Sequence, residues 1–343
     1  MGNELLYLIS FTAAFLISSA ATPLCRFLAE KFNIMDNPVT SVKTHKISTP
    51  YLGGAAIASG TAASLMLIRL ITHFPDGTLR SLRGIIYGSA MVLLLGFVDD
   101  AKFKGLGFKS KLLIQFLAAA VVVFGFDIRI NFLSIYSISS IVSIFWIVGI
   151  TNAFNIIDIM DGLSSGIAVI ACFAFLFISL PTEMIYVNFC ATALAGAVLG
   201  FMPYNFSKSK KIFMGDTGSL FIGFVLASLA MGTSYTAVNE IGLFAPLMIL
   251  AVPIYETGLV SLFRIRKGKS PFLGSRDHYA LRLEKMGFSR KQILIMTYCA
   301  CIILSFCAFL FTQLSLSYVI MLLLLVAACL WIITVKLAEV KVE

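Results

Sequence analysis

Seven of the nine aspartates in this chain fall in five short polar gaps between long apolar runs. The gaps hold Asp36; Asp99 and Asp100; Asp158 and Asp161; Asp216; and Asp277. A carboxylate at the mouth of an apolar helix is costly to desolvate and is retained for a task. Several of them converging on one face point to a divalent cation and a charged substrate. Asp99 and Asp100 are adjacent, and two like charges side by side repel unless a cation compensates. A divalent metal would do that, and so would Lys102, Lys104, Lys109 and Lys111 in the same gap.

The sharpest pattern is Asn152, Asn155, Asp158 and Asp161, each three residues from the last. Residues at i and i+3 share a helical face, so a helix end here would aim two amides and two carboxylates at one point. A polar seam between helices explains the amides but not the acids. Asp216 sits in Gly-Asp-Thr-Gly-Ser at 215–219, where a bare backbone can approach a ligand. Thr217 and Ser219 open the next helix, whose N-terminus favours anions, although an acid there also suits a plain helix cap. In the first gap Lys43 and His45 could contact phosphate or simply face water. Pro50 in that gap disfavours helix at Thr49. The last gap is the longest and most basic, and it holds Arg276, Asp277 and His278. Residues 280–286 read as a short amphipathic helix lying at a membrane surface.

The elements that position these groups are apolar. The chain is 59% hydrophobic and 13% charged, with a mean hydropathy of +0.96, which excludes an ordinary soluble domain. A spanning helix needs about 20 mostly apolar residues. Eleven runs qualify: 4–25, 52–72, 84–98, 110–126, 139–157, 163–180, 186–203, 218–234, 240–262, 293–313 and 315–336. Backbone groups in lipid must be satisfied internally, so helices are the expected form, and no run alternates like a barrel strand. The first run lacks a basic leader and reads as a retained helix rather than a signal peptide. The expectation is an all-α polytopic integral membrane protein with about eleven transmembrane helices, forming a single domain over 1–343.

With eleven spans, 22 of the 26 lysines and arginines fall on one side. The positive-inside rule makes that side cytoplasmic, with the N-terminus outside and the C-terminus cytoplasmic. All seven gap aspartates then face the cytoplasm. The net charge of +9 is local to these loops and suits anionic lipid and an anionic substrate. No nucleic-acid motif accompanies it, so nucleic acid is not an expected partner. The seven cysteines lie in or beside apolar runs without metal-ligand spacing and read as small core residues.

Taken together, the gaps resemble the polyprenyl-phosphate N-acetylhexosamine-1-phosphate transferases. These include the bacterial undecaprenyl-phosphate GlcNAc-1-phosphate transferases and the phospho-MurNAc-pentapeptide translocase. The resemblance runs from about residue 40 to about 290. It rests on Thr-Pro-x-x-Gly-Gly at 49–54, the Asp99–Asp100 pair, Asn-Ala-x-Asn-x-x-Asp-x-x-Asp-Gly at 152–162, Phe-Met-Gly-Asp-x-Gly-Ser at 213–219, and Ser-Pro-Phe at 270–272 leading to His278. It implies attack of a lipid phosphate on the β-phosphate of a UDP-N-acetylhexosamine, assisted by Mg²⁺ or Mn²⁺. The products would be a polyprenyl-pyrophosphoryl sugar and UMP, a first membrane step of cell-envelope polysaccharide synthesis. Phosphoryl transfer is mostly positioning and charge neutralisation.

By resemblance, Asp216 is the metal ligand, and Asp99 and Asp100 deprotonate or orient undecaprenyl phosphate. Asp158 and Asp161 belong to the same catalytic group. Lys43, His45, Lys111, Asn152, Asn155, Asn205, Phe213, Gly215, Arg276 and His278 are the expected substrate-binding residues. Besides the UDP-sugar, the lipid phosphate and the bilayer of an inner membrane, a second copy of the chain is a candidate partner. Three positions depart from the family. Where many relatives have His-x-His-His, this chain has His278-Tyr279-Ala280-Leu281. Ser275 stands where an acid is frequent, and Tyr51 where an arginine is frequent. The missing histidines argue against the pentapeptide donor. The rival expectation from the residues alone is an ion-coupled secondary transporter using intramembrane acids.

Overall fold

The computed structural model describes residues 2–38, 47–102, 105–131, 133–233, 235, 240–272, 274–340 and 342. Lys43, His45 and Lys104 lie outside the described residues. The chain divides into two compact units, one running essentially to residue 234 and the other from Tyr235 onward.

The first unit holds α1 (Asn3–Lys31), α2 (Gly53–Ile71), α3 (Asp76–Ala101), α4 (Phe108–Ala120), α5 (Tyr136–Ile157), α6 (Leu163–Ser179), α7 (Ile185–Asn205) and α8 (Gly215–Gly232). Helix α4 continues into one π-helical turn, Val121–Gly125. The only sheet among the described residues is a two-residue antiparallel ladder pairing Met35 with Pro50 and Asp36 with Thr49, so Pro50 does end up in extended backbone. Lipid gives no hydrophobic drive between helices, so small residues and hydrogen bonds hold them together. Ser10 and Ser64 bond across α1 and α2, and Asn188 of α7 reaches the Tyr7 hydroxyl of α1 at 3.2 Å. Helix α8 is the best shielded of the spans, with 89% of its span buried, and α3 and α5 pack along it.

The second unit opens with a 3₁₀ turn, Glu240–Phe244, followed by α9 (Ala245–Ile249), α10 (Ala251–Arg266), α11 (Tyr279–Lys285), α12 (Arg290–Phe311) and α13 (Leu316–Ala338). Arg282 of α11 is its knot. The guanidinium donates to Asp277 Oδ1 at 2.7 Å and to the Leu337 and Val340 carbonyls at the end of α13. It also stacks 3.9 Å over the Phe263 ring. Helix α11 therefore forms where the sequence predicts it, but buries Tyr279, Ala280, Leu281 and Arg282 within the unit.

The chain is a multi-pass membrane protein. Among the described residues nine helices are long and apolar enough to cross, or ten if one bent pair counts as one span. Two of the eleven expected spans differ. The run 240–262 is broken by a 65° bend between α9 and α10. The run 163–180 gives a helix of 17 residues, at the lower edge of what crosses a bilayer. Cys172, Cys190, Cys301 and Cys307 are core residues as expected, whereas Cys299 and Cys329 are exposed on α12 and α13.

Candidate active site

The last turn of α3 carries Asp99 and Asp100, and the first turn of α8 carries Asp216. Gly96, one turn before the pair, lets the two helices touch backbone to backbone. A Cβ at Gly96 would lie 2.5 Å from the Asp216 carbonyl carbon and the Thr217 nitrogen. The strand residue Pro50 and the start of α2 brace the other side of this turn. Phe213 N donates to Pro50 O, Gly53 N to Phe213 O and Gly54 N to Met214 O, each at 2.9 Å. The motifs at 49–54 and 213–219 are thus two halves of one backbone joint.

This packing brings oxygens of Asp99, Asp100 and Asp216 within 4.8 Å of one another. Lys111, in the first turn of α4, bridges two of them. Its Nζ lies 2.8 Å from Asp99 Oδ2 and also pairs with Asp216. Asp99 Oδ1 accepts the Leu106 amide at 2.5 Å. Both oxygens of Asp100 face α8: Oδ1 accepts Asp216 N at 3.0 Å, and Oδ2 accepts Thr217 N at 3.0 Å and the Thr217 hydroxyl at 2.6 Å. Asn155 donates to Asp216 Oδ1 at 2.9 Å and to Ser219 Oγ at 3.0 Å. Gly215 completes the turn at φ +70°, and a Cβ there would strike the Asp100 carboxylate.

The four polar residues at 152, 155, 158 and 161 do not converge on one point. Helix α5 ends at Ile157, and Asp158 caps it at φ −79°, ψ 61°. The i, i+3 face therefore stops after Asn155. Asn152 turns away to the buried Gln115, its Nδ2 donating to Gln115 Oε1 at 2.5 Å. Asp161 pairs with Lys211 at 2.6 Å. Asn205, at the end of α7, accepts the Gly162 amide at 2.8 Å and donates to Ile212 O at 3.1 Å. It splices two loops rather than facing an opening. Phe213 lies beside Tyr51, with ring centroids 6.3 Å apart, and under the Lys211 ammonium at 5.2 Å.

Asp158 makes no hydrogen bond or ion pair among the described residues. Burial, then the charges of Asp216, Asp161 and Asp100, push it well above the ordinary carboxylate range.

In the second unit His278 Nδ1 lies 2.7 Å from Oε1 of the fully buried Glu256. Arg276 lines a cavity of about 380 Å³ with Leu281, Glu284, Lys285, Arg290 and Val342. Asp277 accepts Lys267 at 2.7 Å. Burial pushes its carboxyl up, but Lys267 and then Arg282 hold it below the usual range. Sequence reasoning missed Gln115 and Glu256, and saw Thr217 only as a residue opening the helix after Asp216. Gln115 sits four residues after Lys111, on the same helical face. Glu256 is a lone acid inside an apolar run, a signal that stood in plain view.

The donor set suits a hard divalent cation. Mg²⁺ takes oxygen ligands, usually one or two carboxylates plus substrate phosphates, and Asp99 and Asp216 meet that description beside a lysine able to hold phosphate. A family model described as glycosyl transferase family 4 matches residues 82–234, the stretch from α3 through α8. Relatives extend further. A decaprenyl-phosphate N-acetylglucosaminephosphotransferase of Mycolicibacterium smegmatis is 29% identical, covering 85% of this chain and 79% of its own. A phospho-N-acetylmuramoyl-pentapeptide-transferase of Bacillus cytotoxicus is 34% identical over 65% of this chain and 74% of its own. An undecaprenyl-phosphate alpha-N-acetylglucosaminyl 1-phosphate transferase of Yersinia pestis is 24% identical, over 86% and 80%. The acid cluster falls inside the matched stretch. The chain belongs to glycosyl transferase family 4.

Proposed function

We propose that the protein transfers N-acetylglucosamine 1-phosphate from UDP-GlcNAc to undecaprenyl phosphate, as one membrane domain over 1–343. The carrying observation is the cluster of Asp99, Asp100 and Asp216 bridged by Lys111 at the ends of spanning helices. A lipid phosphate oxygen forms a bond to the β-phosphorus of the donor. The bond from that phosphorus to the oxygen shared with the α-phosphate breaks, and UMP leaves with that oxygen. Family membership disfavours the transporter alternative, which accounts for the acids but not for the matched stretch.

Asp216 and Asp99 would hold Mg²⁺, which when bound neutralises pyrophosphate charge. Lys111 binds phosphate, and the aspartate pair orients the acceptor or takes its proton. Asn155 keeps Asp216 aimed. Asp158, without a hydrogen-bond partner among the described residues, serves the nucleotide side together with Asp161, and Asn152 braces α5 against Gln115. Asn205, Phe213 and Gly215 shape the wall, and Lys43, His45, Arg276 and His278 complete substrate binding.

The relatives include both GlcNAc and pentapeptide donors. The choice rests on residues 278–281. Ala280 and Leu281 stand where the histidine-rich pattern has histidines, so only His278 of it remains to meet a donor. UDP-GlcNAc should give labelled lipid and UMP in a panel of radiolabelled UDP-sugars with undecaprenyl phosphate. Efficient turnover of UDP-MurNAc-pentapeptide would overturn the assignment.

The active site should face the cytoplasm of the inner membrane: with α6 and the bent α9–α10 pair each counted as a crossing, 22 of 26 basic residues share its side. Cysteines introduced beside Lys210 and Lys267 should react with impermeant label only from the cytoplasm, and those beside Asp76 and Asn131 only from outside. Labelling of the Lys210 and Asp76 positions from the same side would sink this orientation.

A further inference from the structure

We infer that Asp100 and Thr217 form a latch that positions Asp216, so that the two members of the aspartate pair do different work. Asp100 acts through helix α8, and Asp99 alone is free to meet substrate. The inference rests on the proposed transfer reaction and divides its labour.

The geometry separates the neighbours. Asp100 receives three donors on its two oxygens, and all three come from the first turn of α8. Two of them are backbone amides at a helix N-terminus, which have no partner inside their own helix. Met214, at the cap position, makes no side-chain cap bond. Asp100 supplies the missing cap from 116 residues away in sequence. One of the amides it holds belongs to Asp216 itself.

Thr217 is buried, and its hydroxyl spends its proton on Asp100. A base must turn a free lone pair toward the group it deprotonates. For Asp100 that means stripping the end of α8 of its acceptor. Asp99 faces a milder constraint. Its Oδ1 accepts one backbone amide, that of Leu106 at 2.5 Å, but its Oδ2 is held by Lys111 Nζ at 2.8 Å, the tip of a flexible side chain that can let go when phosphate arrives. The same turn of α3 thus commits both oxygens of Asp100 to the start of α8 and leaves Asp99 one oxygen held only by a side chain.

Three measurements on the full chain in detergent test the latch. Mn²⁺ alone serves as the probe, read by its electron paramagnetic resonance signal. Asp100→Asn should weaken Mn²⁺ binding about ten-fold or more, the usual effect of removing a group that orients a ligand. Hydrogen exchange at the amides of Asp216 and Thr217 should quicken. The acid limb of the pH–rate profile should keep its midpoint in whatever activity remains. Thr217→Val should shift binding and exchange in the same direction, Thr217→Ser should restore both, and the double variant should be no worse than Asp100→Asn alone.

Unchanged Mn²⁺ affinity and unchanged exchange in Asp100→Asn, with the acid limb abolished, would make Asp100 the base and overturn the latch. Additive effects in the double variant would also overturn it. If the unaltered protein binds no Mn²⁺, the metal assignment fails by itself, and the exchange at Asp216 and Thr217 still decides the latch.

Discussion

Replacing Asp216 by asparagine is expected to lower turnover on the order of 10³-fold, about 4 kcal/mol of transition-state stabilisation, while leaving the protein folded. The amide keeps the shape of the carboxylate and can still accept from Asn155, which now bonds Oδ1 at 2.9 Å. What it lacks is the charge that pairs with Lys111 and would balance a divalent cation. In a partly dry site that charge weighs more than in water. The loss should therefore fall on the Mg²⁺ response: the half-saturating concentration rises and the maximum falls. Folding should hardly notice. The Lys111–Asp216 pair is part-buried, with side-chain exposures of 22% and 25%, and in the variant Lys111 keeps its pairing with Asp99 at 2.8 Å, so no charge is left stranded. Turnover against Mg²⁺ concentration, alongside a thermal melt in detergent, separates the two effects. Near-normal turnover and Mg²⁺ response in folded Asp216→Asn protein would remove Asp216 as the metal ligand.

Gly96→Val should be as damaging by a different route. Its side chain would enter space already filled by the backbone of Asp216 and Thr217. Backbone has no rotamer to give, so α3 and α8 must move apart. Overpacking of this kind costs about 1–3 kcal/mol and occasionally more. The movement also pulls Asp99 and Asp100 from Asp216, so activity should fall at least ten-fold further than the stability loss explains. Gly149→Ala is the control. It lies inside α5 with nothing near its missing Cβ, and replacing an interior helical glycine by alanine gains about 0.5–1 kcal/mol. A Gly96→Val enzyme with the melt and turnover of the unaltered protein would show that the close approach of α3 and α8 is not needed.

Much of this was legible from residue spacing, because membrane helices announce themselves by apolar length and their polar interruptions stand out. Asp99, Asp100 and Asp216 were visible as acids where acids are expensive, and the structure brings them together. Spacing failed where a helix stopped. Asn152, Asn155, Asp158 and Asp161 are a perfect three-residue series on paper, but α5 ends at Ile157, and Asn152, Asn155 and Asp161 each take a different partner. Hydropathy likewise saw one run over 240–262 and could not see the 65° break within it. A bend in the backbone leaves the apolar composition untouched. Gln115 and Glu256 stood in view as single polar residues in apolar runs, but only their partners, Asn152 and His278, give them meaning.

The contrast between helices α8 and α13 sets where this chain can be altered. Along α8 89% of the span is buried, while along α13 the figure is 6%. Nearly every side chain on α8 fits against another helix, so its sequence has little room to drift, whichever apolar residue is offered. On α13 the neighbours of Leu324, Leu325 and Trp331 are solvent molecules of the bilayer, and a liquid accepts any hydrocarbon shape. Swapping leucine, isoleucine and valine freely along that surface should pass unnoticed. A fluorophore, a crosslinker or a fused partner belongs on that helix, on the exposed face of α13.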